Sequence, residues 1–379
     1  MKRIALYFFS FFCILNLLLL SQSKTENLFP VKVSGKCGFI YSNGKIAIPP
    51  QFDEVLPFED ELAIVVKDGK SGAIDKNGNI VIEIKYDILL SFSNGLAGYF
   101  DNEKELWGFI DKKGNIVIEP KFYEIGSFSE GLCPVATQKF QIKRTYDSSE
   151  TEIEEILGWS CINTKGEFTF QDISVNINYR KFSNGLLPVY DLEAKKYGYI
   201  NKKGNYEIDP IFTSVKPFSE GLACVSDQYY RYGFINKNGK FVIDPSFLDA
   251  NSFSEGLAAV KNNEDKWGYI NREGLFVIQP TLQGFLYESE FIHNFSEGYA
   301  AFAENGKCGY IDKLGNQVIP PIWDRAEDFN NGLAEVYQRI SIWNEDLGSK
   351  DDPEAYEMQD IFIGYIDKSG NFIWKQPEE

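Results

Sequence analysis

The chain has 379 residues, 44% of them hydrophobic and 15% aromatic, and a formal charge of −17. That hydrophobic content can bury a core and excludes wholesale disorder, while the acidity repels phosphate backbones and argues against a nucleic-acid partner. The 31 Phe, 21 Tyr and 32 Gly against two Met favour strands and turns over helices.

The first 23 residues stand apart. Lys2 and Arg3 precede an almost unbroken apolar run from Ile4 to Leu20, and Ser21-Gln22-Ser23 offers small residues where a signal peptidase reads. The expectation is a signal peptide over residues 1–23, cleaved after Ser23, and an exported protein that is periplasmic or extracellular. The competing reading is a retained membrane anchor, for which the run is slightly short of the about 20 residues of a span. After cleavage no stable membrane span is expected. Cys13 lies too deep in the run to be a lipoprotein cysteine. Cleavage removes two positive residues, so the charge moves from −17 to −19.

Residues 24–379 are one pattern written nine times. It runs "CGFIYSNGKIAIPPQF" from Cys37, "SGAIDKNGNIVIEIKY" from Ser71, "WGFIDKKGNIVIEPKF" from Trp107 and "WSCINTKGEFTF" from Trp159. It continues as "YGYINKKGNYEIDPIF" from Tyr197, "YGFINKNGKFVIDPSF" from Tyr232 and "WGYINREGLFVIQPTL" from Trp267. "CGYIDKLGNQVIPPIW" from Cys308 and "IGYIDKSGNFIW" from Ile363 complete it. Between the copies stand "FEDEL" at Phe58, "FSNGL" at Phe92 and Phe182, and "FSEGL" at Phe128, Phe218 and Phe253. "FSEGY" at Phe295 and "FNNGL" at Phe329 follow. Such recurrence is the signature of a repeat architecture.

Each feature has a local cause. Asp111, or Asn at equivalent positions, opens a type I turn by capping a backbone N–H, and Gly114 takes the positive φ at its end, giving a bulged hairpin. Gly108 inside the first strand is read as a notch for close approach of another backbone or ring, with Ser160 as its one small replacement. Pro120 is read as the stop of the second strand, because it cannot donate to a ladder. Leu257-Ala258-Ala259-Val260 does not alternate, as expected of a strand covered on both faces. One repeat is then three short strands plus an irregular segment such as "QFDEV", "KYDIL" or "IWDRA".

"WGFIDKKGN", "WGYINREG" and the intervening "FSEGL" resemble the WG-repeat (KWG-repeat) family of bacterial tandem β-repeat proteins, over about residues 31 to 375. Three copies keep Trp at the lead position (Trp107, Trp159, Trp267), and Trp159 lacks the following Gly. The resemblance implies a tandem all-β array with a binding or scaffolding role and no catalytic residues to carry over. The fold expectation is all-β, a tandem array of antiparallel hairpin or meander repeats of about 35 residues. An open, solenoid-like superhelix is favoured. The alternative is a closed β-propeller-like ring, whose blades commonly need four strands and about 40 or more residues.

The chemical candidates resolve into architecture. Asp75, Asp111, Asp312 and Asp367 could bind a cation, but Asn163, Asn201, Asn236 and Asn271 replace them in other copies, and turn capping explains both types. The same holds for Glu130, Glu220, Glu255 and Glu297 of the "SEG" turns. Cys37, Cys133, Cys161, Cys224 and Cys308 lack zinc spacing and read as small buried hydrophobes. The single histidine, His293, has no acid or nucleophile pattern around it and reads as structural or solvent-facing. No Walker loop precedes a helix. No catalytic, cofactor-binding or metal site is assigned, and no cofactor is expected.

Interruptions of the pattern are where function is expected. Insertions fall near 138–157, 281–294 and 338–361. "QKFQIKRTYDSSETEIEEIL" reads as a long hairpin with one basic and one acidic arm, and the insertion with Trp343 occupies the same topological position. Both should project from one side. The expected function is an exported, non-enzymatic module that binds another protein. The alternative is a carbohydrate- or cell-envelope-binding module that uses surface aromatics.

Overall fold

The computed structural model describes residues 27–146, 150–173, 175–284, 292–344 and 356–377. The expected signal peptide lies outside these residues, as does half of the insertion at 281–294.

Nine antiparallel sheets follow one another along the chain, each formed from consecutive strands. We number them as blades: 28–52, 54–86, 88–122, 124–173, 175–212, 214–247, 249–282, 299–323 and 325–375. Blade 3 shows the plan. Ile88–Leu89 forms a two-residue inner strand, Leu96–Asp101 and Leu106–Asp111 are the buried middle strands, and Ile116–Phe122 is the outer strand. In blade 7 the non-alternating run Leu257 to Val260 is buried on both faces, as its sequence demands.

The hairpin turn forms as expected. The Gly114 N–H donates to Asp111 O at 2.9 Å, Gly114 has φ +81°, and Asp111 Oδ1 accepts the N–H groups of Lys113 and Asn115. Asn163 makes the same contacts in blade 4, with Lys165 and Glu167 as donors. Carboxylate and amide are interchangeable there because only one oxygen is needed.

Pro120 does not end its strand. The outer strand runs on to Phe122, and Trp107 pairs with Phe122 while Phe109 pairs with Ile118, so three residues bulge out opposite Gly108. Proline fits because a bulge asks for no ladder donor. Gly108 is the price of that bulge: a Cβ there would lie 2.6 Å from Ile118 O and 2.9 Å from Pro120 N. Blade 4 explains the exception. There Trp159 pairs with Ile173 and Cys161 with Phe170, a bulge one residue shorter, and Ser160 fits, with its Oγ 3.0 Å from Thr137 Oγ1.

The open superhelix is overturned, because the first blade packs on the last. Phe29, Val31 and Ile40 share one core with Leu333 and Tyr365. The Tyr365 hydroxyl donates to Pro30 O at 2.9 Å, and Asn27 Nδ2 donates to Asn331 Oδ1 at 2.7 Å. The chain is a closed, nine-bladed β-propeller. The expectation failed on its strand count. The segment read as irregular supplies the fourth strand in only two residues (Glu124–Ile125 in blade 4, Ser214–Val215 in blade 6), so a repeat near 35 residues suffices for a blade.

Candidate functional site

Adjacent blades are joined by a relay that starts in the "FSEG" turn. Ser129 Oγ donates to Phe182 O at 2.7 Å, Ser219 Oγ to Phe253 O and Ser254 Oγ to Phe295 O, both at 2.6 Å. In each case the acceptor belongs to the next blade. The following residue takes a left-handed backbone (φ +52° at Glu130) and turns its side chain outward across the junction. Glu130 accepts from the Gly185 N–H, Glu255 from Gly298 and Glu297 from Gly332. Lys202, Lys313 and Lys368 then pair with these same carboxylates at 3.0 Å. Burial pushes the Glu130 carboxyl up, but the Lys202 and Gly185 hydrogen bonds outweigh it and hold the group below its ordinary range. Glu255 and Glu297 behave alike. The glutamates are therefore interblade clamps, a role that a turn cap alone does not describe.

The signal was present at an offset of one repeat. Glu130, Glu220, Glu255, Glu297 and Asp60 are each matched one copy later by Lys202, Arg272, Lys313, Lys368 and Lys112 after the turn Asp or Asn. Neutral Asn94 is matched by Thr164, and Asn331, carried round the ring, by Ser42; Asn184, matched by Lys237, is the exception.

The remaining candidates settle into the frame. Cys133, Cys161, Cys224 and Cys308 are buried and Cys37 is partly so. Burial pushes the Cys224 and Cys308 thiols up to about 12, which leaves them inert at neutral pH. His293 Nδ1 lies 2.7 Å from Asp328 Oδ1 on the neighbouring blade, and its carbonyl accepts the Tyr269 hydroxyl at 2.6 Å, so it is a structural link.

The two described insertions prolong the turn between the middle strands. In blade 4, Leu132–Tyr146 pairs with Glu150–Asn163 out to the pair Tyr146 and Glu150. In blade 9, Ala334–Trp343 pairs with Tyr356–Ile366 out to Trp343 and Tyr356. Equivalent turns share one face of a ring, opposite the Asp–Gly hairpins, so both ribbons rise from that face. They stand four blades apart one way and five the other, nearly across the axis. Arg339 grips Asp360 with two bonds of 2.7 and 2.8 Å midway along the second ribbon, beyond which Ile340 and Met358 are exposed. On the same face, the short turn of blade 6 exposes Tyr229 and Tyr230, each at 73%.

A gap lies at the closure. Blade 1 has three strands where most others have four, and among the described residues Leu28–Val33 pairs only with Lys36–Tyr41. A cavity of about 540 Å³ opens between blades 9, 1 and 2 at this position, and a second of about 160 Å³ continues along the same strand past Lys32.

Several solved structures match the chain at low identity. BamB from Moraxella catarrhalis matches at 9% identity and TM-score 0.35, covering 82% of this chain and 93% of that one. The WD40 β-propeller domain of Doa1 matches at 13% and 0.29, covering 83% and 93%. KlHsv2 with loop 6CD replaced by a Gly-Ser linker matches at 12% and 0.31, covering 81% and 95%. No curated protein matches. The family model described as "WG containing repeat" matches residues 38–70, 72–104, 107–137, 197–227, 232–266, 267–308 and 309–339, well over half of the chain. The chain therefore belongs to the WG-repeat family.

Proposed function

We propose that this protein is an exported, non-enzymatic scaffold that holds another protein on the ribbon-bearing face of its ring. The observation that carries this is the pair of prolonged hairpins at one topological position, on a frame whose other turns stay short. A rigid ring offering two ribbons nearly across its axis suits a partner that spans the face, and sites on a rigid scaffold bind at lower entropic cost. The formal charge of −17 favours a basic partner surface and speeds its approach at low salt.

The test is to shorten each ribbon to the length of the blade 6 turn, Asp227 to Arg231, and to follow a partner recovered from the cell envelope by cross-linking. Loss of one defined partner on shortening either ribbon, with the ring still folded by circular dichroism, supports the reading. Retention by the doubly shortened protein overturns it. Tyr229 and Tyr230 favour a second reading, a glycan platform, since exposed aromatic rings stack on sugar faces. Saturable sugar binding on an array, lost in Tyr229→Ala/Tyr230→Ala, would replace the first reading with the second.

A further inference from the structure

At the regular junctions an aromatic ring of one blade meets the "FSEG" phenylalanine of the next. The pairs Phe39–Phe58, Phe109–Phe128, Tyr199–Phe218, Phe234–Phe253, Tyr269–Phe295 and Tyr310–Phe329 have ring centroids 4.7 to 5.1 Å apart. Tyr365 holds this position in blade 9 but finds Phe29 at 5.4 Å and Phe362 at 5.2 Å instead. Its hydroxyl follows suit. Tyr199, Tyr269 and Tyr310 donate to a carbonyl of the next blade's inner segment (Lys216, His293 and Glu327), whereas Tyr365 donates to Pro30 O on the strand Leu28–Val33 of blade 1. Both substitutions mark one part that is not found among the described residues, the inner strand of blade 1 and the phenylalanine that follows it.

The other blades show what fits there. In blade 4, Pro134 O accepts the Gly126 N–H and Ala136 O accepts the Tyr123 N–H. By register Pro30 and Lys32 hold these places in blade 1, so among the described residues this edge presents the Lys32 carbonyl and N–H together with the Pro30 carbonyl, which also accepts the Tyr365 hydroxyl. The flanking residues of the chain are a poor match. Counting back from Leu28 in the same register puts Ser21 where others have an aliphatic residue and Lys24 where others have Phe. Gln376-Pro377-Glu378-Glu379, after the last strand, brings no aromatic and two carboxylates.

The cavity wall selects charge as well. Glu61, Glu327, Asp328 and Glu335 line it against Lys76 and Arg325. Glu61 stands where seven other copies have glycine, at φ +74° and next to Asp60 at φ +50°. A left-handed backbone strains a glutamate, and here the strained residue is an acid on the cavity wall.

We propose that the seam between blades 9 and 1 binds an extended, basic peptide segment of another protein, which adds as the fourth strand of blade 1 and sets an aromatic side chain against Tyr365. Backbone pairing gives the affinity, while the aromatic pocket and the acidic rim give the selectivity, as in other strand-addition sites. The inference deepens the scaffold reading by naming a second contact, and it rests on that reading for the presence of a protein partner.

The probe is a labelled peptide copying residues 212–219 of this chain, FTSVKPFS, a basic inner strand with its phenylalanine. Fluorescence anisotropy with the full chain should show saturable binding. Phe218→Ala in the peptide should weaken it at least tenfold, as should Lys32→Pro in the protein, which removes the inward N–H at an edge that already tolerates Pro30. Glu335→Gln with Asp328→Asn should weaken it and flatten its salt dependence. Equal binding of the wild-type and Phe218→Ala peptides overturns the proposal. So does a tenfold gain when residues 21–24 become glycine, since the chain's own segment would then be the occupant. The ribbon-shortened protein, run in parallel, separates the two readings: it should bind this peptide unchanged even if it has lost its envelope partner.

Discussion

The junction between blades 6 and 7 and the seam between blades 9 and 1 solve the same problem with different completeness. At the regular junction Ser219 ties to Phe253 O, Glu220 to the Gly256 N–H, and Arg272 to Glu220 O, while Phe253 fills the pocket against Phe234. At the seam two polar links stand in altered form, Asn27 to Asn331 and the Tyr365 hydroxyl to Pro30 O. The Gly44 turn still lands on blade 9, at Ile373, as Gly274 lands on Ile243. The serine link and the phenylalanine are absent among the described residues. Closure therefore does not need the full relay. A ring whose other junctions are rigid fixes the separation of its ends, so a few contacts suffice at the last one.

The largest effect should come from the aromatic contact. Phe253→Ala empties a fully buried pocket at a regular junction and should destabilise the protein by about 3–5 kcal/mol. Phe29→Ala, at the seam, should fall at or below the lower end of that range, because its ring already borders open volume and forfeits fewer contacts. Denaturant unfolding of the two variants measures the difference. Equal losses would mean that the seam is packed like any other junction.

Much of the regular junction was legible in sequence and little of the seam was. Asp111 with Gly114 specifies a turn from four residues, so local chemistry suffices. Gly108 was legible as a notch, but Pro120 was misread because a proline in a bulge and a proline at a strand end look alike until the register is known. The clamp pairs were written as Glu130 and Lys202, 72 residues apart, and are visible only when copies are compared at an offset of one. Closure itself depends on contacts such as Pro30 with Tyr365, 335 residues apart, and no local rule encodes these. The hairpin insertions were legible because pairing between Leu132–Tyr146 and Glu150–Asn163 is local.

A middle-sized effect separates the polar links. Ser219→Ala removes a 2.6 Å bond and leaves the part-buried Phe253 carbonyl short of its donor, a loss of about 1–2 kcal/mol. Tyr365→Phe removes the substitute link to Pro30 O at the seam and should lose about 0.5–1.5 kcal/mol. Glu61→Gly should act in the opposite direction. Gly95, its counterpart in blade 3, has nothing within 4 Å of a built Cβ, so the strain at this position is in the backbone rather than in packing. Relief should raise stability by about 1 kcal/mol, while peptide binding at the seam declines. A melt of Glu61→Gly that is lower than the parent's would show that Glu61 is held there by contacts instead.

The smallest effect is electrostatic and concerns only the regular junctions. The folded-state pKa values of Glu130, Glu255 and Glu297 lie below the ordinary 4.5, chiefly because lysine and glycine N–H bonds overcome burial. A depressed carboxyl contributes stability that is complete above its unfolded value and is lost as pH falls through the folded one. These side chains are about one-third exposed, so solvent screening limits each clamp to a few tenths of a kcal/mol. The triple variant Glu130→Gln/Glu255→Gln/Glu297→Gln should thus trail the parent by about 1 kcal/mol at pH 7, and the gap should close as the pH drops below 4.5. Asn27 and Asn331 do not titrate, so the seam's own link is indifferent to that change. Acid should loosen the clamped junctions and leave the Asn27–Asn331 link standing, which amide exchange would reveal as protection lost first at Gly185, Gly298 and Gly332. A gap between parent and variant that stays constant across this range would show that the glutamates act through shape and neutral hydrogen bonds, and that the regular junctions and the seam differ in packing alone.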